Sequence, residues 1–214
     1  MRLLLINPNT TESVTQTVAA RARARLPQAR IDAVTGAFGA PYIASRASFV
    51  VGAHAALDAL RRHVSPDNPA GYHAVLMACF GEPGIEALRE ESPIPVLGMA
   101  EESFAAAARL GQGFAVVTGG AAWAPMLRDF AAVRGLSERL VAVRTLAVDG
   151  GTIARDPDAA LPALAEEVRA AAAQGAASVI LGGAGLVGLA ARLPVLSVPV
   201  LDCLDCLAEA VPPA

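Results

Sequence analysis

Val75–Leu88 reads VLMACFGEPGIEAL, and Val179–Ala190 reads VILGGAGLVGLA. Each is a short apolar run that breaks at a glycine-containing turn and resumes in a helical pattern. A run of this length bounded by a turn suits a strand buried on both faces. The same order stands in Leu3–Val14, LLLINPNTTESV, and in Phe114–Leu127, FAVVTGGAAWAPML. Cys79 and Gly183 take equivalent places in their stretches and lie 104 residues apart, close to half of the 214-residue chain. The repeat predicts two similar α/β halves.

Working outward, strands are expected at Arg2–Ile6, Arg30–Thr35, His73–Ala78, Ile94–Met99, Gly113–Thr118, Leu140–Leu146, Ala177–Gly182 and Val198–Asp202. Helical patterns lie between them, at Thr11–Leu26, Ala47–His63, Pro83–Glu91, Glu101–Leu110, Ala124–Arg134, Ala159–Gln174, Gly185–Arg192 and Leu204–Ala210. Strands alternating with helices predict parallel sheets covered by helices. The expected fold is therefore α/β: two pseudo-symmetric, Rossmann-like, parallel-sheet domains. Residues 1–97 with 198–214 would form the first, and residues 98–197 the second. Ligands in open α/β sheets bind beyond the carboxyl ends of the strands, so the active site is expected in the cleft where the two sets of turns face each other.

Bulk composition excludes several classes of function. Hydrophobic residues make up 54% of the chain, enough for a sizeable core. No apolar run reaches the ~18–20 residues that span a bilayer. The opening RLLLINPNTT is too short in apolar residues for a secretion signal, so the cytoplasm is the expected location. The net charge is −3 with no basic cluster, which argues against nucleic acid as a partner. Three cysteines, Cys79, Cys203 and Cys206, do not make a disulfide framework. Cys203 and Cys206 form a C-x-x-C with no second Cys or His pair, so no metal site is expected.

The turns carry the candidate chemistry. Asn9 or Thr10 can cap the helix near Thr11, with Glu12 placed as in a capping box. Asn7 ends its strand, where its amide can donate to a carbonyl or carboxylate. Thr118, Gly119 and Gly120 offer a hydroxyl and backbone N–H groups. Cys79 lies just before Pro83, a favoured first helical residue. A thiol at a helix start has a lowered pKa, and its thiolate can take a proton from carbon or attack a carbonyl. The bland alternative is a buried structural cysteine. No Ser-His-Asp or Cys-His set is legible, and His54, His63 and His73 read as surface or capping residues. Gly183–Gly188 is a literal G-x-G-x-x-G with Asp202 19 residues after its first glycine, the spacing of a dinucleotide site. Against that reading, the helix after it breaks at Pro194 and only 12 residues follow Asp202.

INPNTT at Ile6–Thr11, ACFGEPG at Ala78–Gly84, LGGAGL at Leu181–Leu186 and VPVLD at Val198–Asp202 resemble the hydantoin racemase branch of the aspartate/glutamate racemase superfamily. The resemblance covers nearly the whole chain. It implies two pseudo-symmetric α/β domains, no cofactor, a small carboxylate or cyclic imide as substrate, and frequent homo-oligomers. It also implies two cysteines, one per domain, that remove and return a proton on opposite faces of a carbon beside a carbonyl. Carried over, Cys79 matches the first cysteine, Asn7 the anion-binding Asn and Thr118 the second-domain Thr. Phe80, Gly119, Gly120, Gly183 and Ala184 would complete an anion cradle. The chain departs from the pattern at Gly183, where the second cysteine is expected, because glycine has no proton to give. A one-cysteine decarboxylase resembling arylmalonate decarboxylase, or a non-catalytic small-molecule-binding relative, are the alternatives that this departure raises. The segment Tyr42–Ser48 reads either as a flap that brings Ser45 or Arg46 to the ligand or as a plain helix start.

Overall fold

The computed structural model describes residues 1–64, 66–111 and 113–212. In chain order the elements are β1 (Arg2–Asn7), α1 (Glu12–Arg25), β2 (Arg30–Thr35), α2 (Arg46–His63), β3 (Ala74–Met77), α3 (Ile85–Glu91), β4 (Val96–Gly98) and α4 (Met99–Arg109). There follow β5 (Phe114–Gly119), α5 (Trp123–Val133), β6 (Leu140–Leu146), α6 (Gly150–Arg155), α7 (Pro157–Ala173), β7 (Ser178–Leu181), β8 (Val200–Asp202) and α8 (Cys203–Glu209). They build two four-stranded parallel sheets, ordered β2-β1-β3-β4 and β6-β5-β7-β8. The second order is the first with each strand replaced by its repeat partner, as the sequence repeat requires.

The apolar runs become central strands because both sheet faces are covered. Leu3, Leu4, Leu5 and Ile6 of β1 are all fully buried, as are Val116 and Val117 of β5. Each such side chain contributes about 1.5–3 kcal/mol of burial. Helix α1 turns Val14, Val18, Ala19 and Ala22 inward at three- and four-residue spacing, and alanine lets helix and sheet approach closely. Phe104 of α4 joins the halves. Its ring lies 5.1 Å from Phe114 of β5, 5.4 Å from Phe130 of α5 and 6.1 Å from Phe80 beyond β3.

Three expectations need correction, and one helix is added. Strand β8 does not return to the first half: it pairs with β7, with Val179 opposite Val200 and Leu181 opposite Asp202. It fills the edge that β4 fills beside β3, so the internal repeat extends to the last strand. Helix α8 does reach the first half, where Arg21 of α1 holds Asp205 at 2.9 Å, and it also packs on α4. Gly185–Arg192 is not an α-helix but two short 3₁₀ turns, Ala184–Leu186 and Ala190–Arg192. Glycines at 185 and 188 offer no side chain to bury there. Helix α3 starts at Ile85 rather than Pro83. Helix α6 was not expected; its signal is Asp149, whose side chain accepts the Thr152 N–H at 2.7 Å. Among the described residues, no helix is long and apolar enough to cross a membrane.

Candidate active site

Strand β3 ends in a bond from the Ala78 N–H to the Ile6 carbonyl, 2.9 Å, and Cys79 is the next residue. The chain then turns back on itself. The Glu82 N–H donates to the Cys79 carbonyl at 3.1 Å, and Gly81, Glu82 and Gly84 all have positive φ (+107°, +59° and +77°). This turn separates Cys79 from α3, so the thiol does not sit at a helix start. Cys79 is buried and its Sγ faces the Phe80 carbonyl at 3.9 Å. Burial, and then the nearby Glu82 carboxylate, push the thiol up to about 12. The sequence expectation of a lowered thiol pKa is corrected: in the closed cleft Cys79 is a neutral thiol.

Cys79 lines a cavity with Phe80, Thr118, Gly183 and Ala184, as the sequence placed them, with Tyr42 and Ile43 of the segment read as a flap or a helix start, and with Asn9 and Trp123, which it did not place there. The cavity holds about 20 Å³, room for about one water molecule. The two equivalent turns touch: a Cβ on Gly182 would lie 2.4 Å from the Phe80 ring. A Cβ on Gly183 would stand 3.6 Å from Thr118 Oγ1 and 3.3 Å from Leu186 Cδ1, but φ there is +142°, which favours glycine. The N–H groups of Phe80, Gly183 and Ala184 have no partner among the described residues. The Gly120 N–H does not join them, because it donates to the Leu146 carbonyl at 3.1 Å. Gly119 presents its carbonyl, which accepts from Tyr42 Oη at 3.3 Å.

Asn7 is not at the cavity. It is fully buried, and its Nδ2 donates to Asn9 Oδ1 and to Thr15 Oγ1, both at 2.9 Å. Its amide positions Asn9, whose Oδ1 also accepts the Thr11 N–H at 2.9 Å in the turn before α1. The capping box expected at Glu12 does not form; its carboxylate accepts from Thr35 and Gln16 instead. Asn9, two residues beyond the expected position, is the asparagine of the cavity wall.

The segment before α2 closes one side of the site. Ser45 caps α2 reciprocally with Ser48, and Arg46 pairs with Asp129 of α5 across the halves, so neither reaches the cavity. Tyr42 and Ile43 do. Trp123, the one tryptophan of the chain, donates its Nε1–H to the Ile43 carbonyl at 3.1 Å and holds this strap down.

Glu82 is a further residue that the sequence did not flag. Its Oε1 accepts the Glu101 N–H at 2.7 Å, tying the Cys79 turn to the first turn of α4. The carboxylate lies directly on Gly98, where a Cβ would come 2.2 Å from Oε1. Arg134 approaches Oε2 only to 3.6 Å, and among the described residues neither Oε2 nor Arg134 Nε has a hydrogen-bond partner. At that distance the ion pair does not offset burial, and the carboxyl is pushed up to about 7.

The remaining candidates fall outside the cavity. Cys203 and Cys206 are buried in α8, with Cys203 Sγ facing the Gly183 carbonyl at 3.8 Å. Asp202 accepts the Gly188 N–H at 2.6 Å and the Leu204 N–H at 3.0 Å, so it ties a loop and caps α8 rather than awaiting a ribose. The dinucleotide reading fails there, since no helix starts after the glycines to receive a pyrophosphate. Among the described residues no cluster of ligating side chains could hold a metal.

Two matched α/β halves that close one small cavity between a thiol-bearing turn and a glycine turn define an enzyme that acts on a small molecule at the ends of two sheets. The chain belongs to the Asp/Glu/Hydantoin racemase family, whose profile matches residues 3–211. It is 32% identical over 206 residues to a hydantoin racemase of Pseudomonas sp. (strain NS671), a match covering 94% of this chain and 81% of that one. Allantoin racemase from Pseudomonas fluorescens superposes with a TM-score of 0.87 at 32% identity, over 98% of this chain and 88% of that chain. Allantoin racemase from Klebsiella pneumoniae gives 0.90 at 28% identity, over 98% and 85%. The chain is accordingly an isomerase of the racemase type.

Proposed function

We propose that this racemase acts on 5-substituted hydantoins, cyclic ureides whose C5–H lies next to a carbonyl, with Cys79 as the proton-abstracting base. The observation that carries the substrate class is the cavity wall, which among the described residues has no Lys, Arg or His. A free amino-acid carboxylate would enter it without a counter-charge, which burial makes costly. A neutral ring avoids that cost. The names of the hydantoin and allantoin racemases that the chain resembles support the same class.

The geometry supports a simple sequence of events. The cavity is too small for a ring in the closed state, so the ring enters as the Tyr42–Ile43 strap opens. The Cys79 thiolate takes the C5 proton, and the electron pair spreads onto the adjacent carbonyl oxygen. The N–H groups of Phe80, Gly183 and Ala184, with Thr118 and Asn9, are the donors available to that oxygen. A thiol raised by burial is a strong base once ionised, which suits a weakly acidic C–H. Asn7 acts one step back, by fixing Asn9.

The test is proton NMR in D2O with single enantiomers of several 5-substituted hydantoins, with aspartate and glutamate as controls and optical rotation followed alongside. The expected result is loss of the C5–H signal together with rotation for hydantoins, absent in Cys79→Ala, and no exchange in the amino acids. Exchange at the Cys79→Ala background would overturn the ring substrate, and exchange of the amino acids would overturn the argument from the uncharged wall.

A further inference from the structure

We propose that Tyr42 is the acid/base on the face of the substrate opposite Cys79, the place left without a proton carrier by Gly183. The inference rests on the hydantoin reading above. The cavity wall has few side chains with a transferable proton. Trp123 Nε1–H, which donates to the Ile43 carbonyl, is a donor only and does not titrate, unlike the Tyr42 phenol, which donates to the Gly119 carbonyl. Thr118 carries an unactivated aliphatic hydroxyl, and Asn9 an amide. Cys79 and Tyr42 remain.

Tyr42 leaves the first half and delivers its hydroxyl to the second. Oη lies 3.3 Å from the Gly119 carbonyl, next to Thr118, and a Cβ on Gly150 would meet it at 2.8 Å. The turn around Gly150 in turn abuts the one after Gly183, since a Cβ on Gly185 would come 2.0 Å from the Gly150 carbonyl oxygen. The hydroxyl therefore stands on the same group of turns that would carry a second thiol, across from the Cys79 turn. Glycine at 150 leaves room for the hydroxyl, and glycine at 119 lets its turn pack on Gly150, where a Cβ would lie 2.7 Å from the Gly150 nitrogen. The ring is held on both sides along the chain, by Thr11 Oγ1 donating to the Pro41 carbonyl at 2.7 Å and by Trp123 on Ile43.

Tyr42 also lines a second space, a groove of about 450 Å³ bordered by exposed Ser13, Asp149 and Arg155. No other described residue borders both, so the phenol stands between the closed cavity and water. The proton path is balanced. Cys79 Sγ⁻ takes H⁺ from C5, the C–H electron pair becomes the enolate, and Tyr42 Oη–H returns H⁺ to the other face, leaving phenolate. The phenolate recovers a proton from water in the groove, and the thiol loses its own to solvent as the ring departs. For the other enantiomer the roles reverse. Burial raises both the phenol and the thiol.

The experiment compares wild type, Tyr42→Phe and Cys79→Ala with each enantiomer of 5-isobutylhydantoin in D2O, after thermal melts confirm folding. Tyr42→Phe is expected to lose racemisation by about a hundredfold or more, while one enantiomer still exchanges C5–H with its configuration retained, because Cys79 alone serves its own face. Racemisation close to the wild-type rate would overturn the proposal, and so would loss of exchange on both enantiomers, which marks a merely structural role. A wild type inert on every hydantoin would refute the substrate class instead. Ultraviolet titration of the phenol then decides on Tyr42: Cys79→Ala should lower its midpoint, and an unmoved midpoint means that the two groups do not face one cavity.

Discussion

Replacing Glu82 with Gln should flatten the pH dependence of stability. The Glu82 carboxyl is raised from the usual 4.5 to about 7, first by burial, with Glu101 adding to the rise and the Glu101 and Ala100 N–H groups and Arg134 opposing it. The folded chain thus holds this proton more tightly than the unfolded chain does. The resulting stabilisation is complete below pH 4.5 and is lost as pH rises through about 7. A shift of this size is worth about 3 kcal/mol at 1.36 kcal/mol per unit, or about 6–12 °C in Tm for a chain of this length. Gln is neutral at every pH and keeps an oxygen for the Glu101 N–H. Urea unfolding from pH 4.5 to 8 should show the wild type losing about 3 kcal/mol more than Glu82→Gln over that window. Parallel curves would refute the reasoning and would mean that Arg134 compensates the carboxylate fully despite its distance of 3.6 Å.

Gly98→Ala should cost about 1–3 kcal/mol by overpacking, because its Cβ lands on the Glu82 carboxylate. A Gly98→Ala/Glu82→Ala double variant should lose less than the two single changes together, read by denaturant unfolding. Gly182→Ala drives a Cβ against Phe80 and forces the two turns apart, so kcat/KM should fall at least about tenfold while the melting curve stays cooperative; unchanged turnover would show that this contact does not shape the cavity. Alkylation of Cys79 by iodoacetamide should be slow at neutral pH and rise about tenfold per pH unit beyond pH 9, because the thiol is raised to about 12. Glu82→Gln should speed it by removing the neighbouring charge, and a plateau below pH 9 would show an ordinary or lowered thiol.

Most of the fold was legible because its information is local. Strands such as Leu3–Ile6 and Phe114–Thr118 are apolar on both faces and end at turns, and the equivalence of Cys79 and Gly183 exposed the two halves. What escaped depended on packing. Whether β8 joined the first or the second sheet was not written in its own residues, since β4 offers an open edge as β7 does and β8 pairs with β7. Gly185–Arg192 carried a helical spacing with glycines that a helix does not favour, and the glycines prevailed. In the site, Cys79, Phe80, Thr118, Gly183 and Ala184 were found from strand ends. The cavity asparagine was expected two residues too early, at Asn7, since nothing local says that the Asn7 amide faces Thr15 while Asn9 faces the cavity. Tyr42, Trp123 and Glu82 are defined by what they reach: a carbonyl in the other half, a strap and a distant helix. The thiol pKa had the wrong sign because the turn before α3 is longer than the position of Pro83 suggests.

The pairing of β8 with β7 also orders the making of this protein. A nascent chain that has not reached Val200 has an open edge on β7, with Val179, Ile180 and Leu181 awaiting partners. It also lacks α8, so the faces of α1 and α4 that α8 covers stay bare. Exposed edges and apolar faces of this kind invite pairing with other chains. The Gly183 carbonyl, which Cys203 backs, and the Gly188 N–H, which Asp202 holds, are likewise unsupported until then. Synthesis must pass β8 and α8 before the glycine wall of the cavity is supported, and a product cut short before β8 would be an aggregation hazard rather than a weak enzyme.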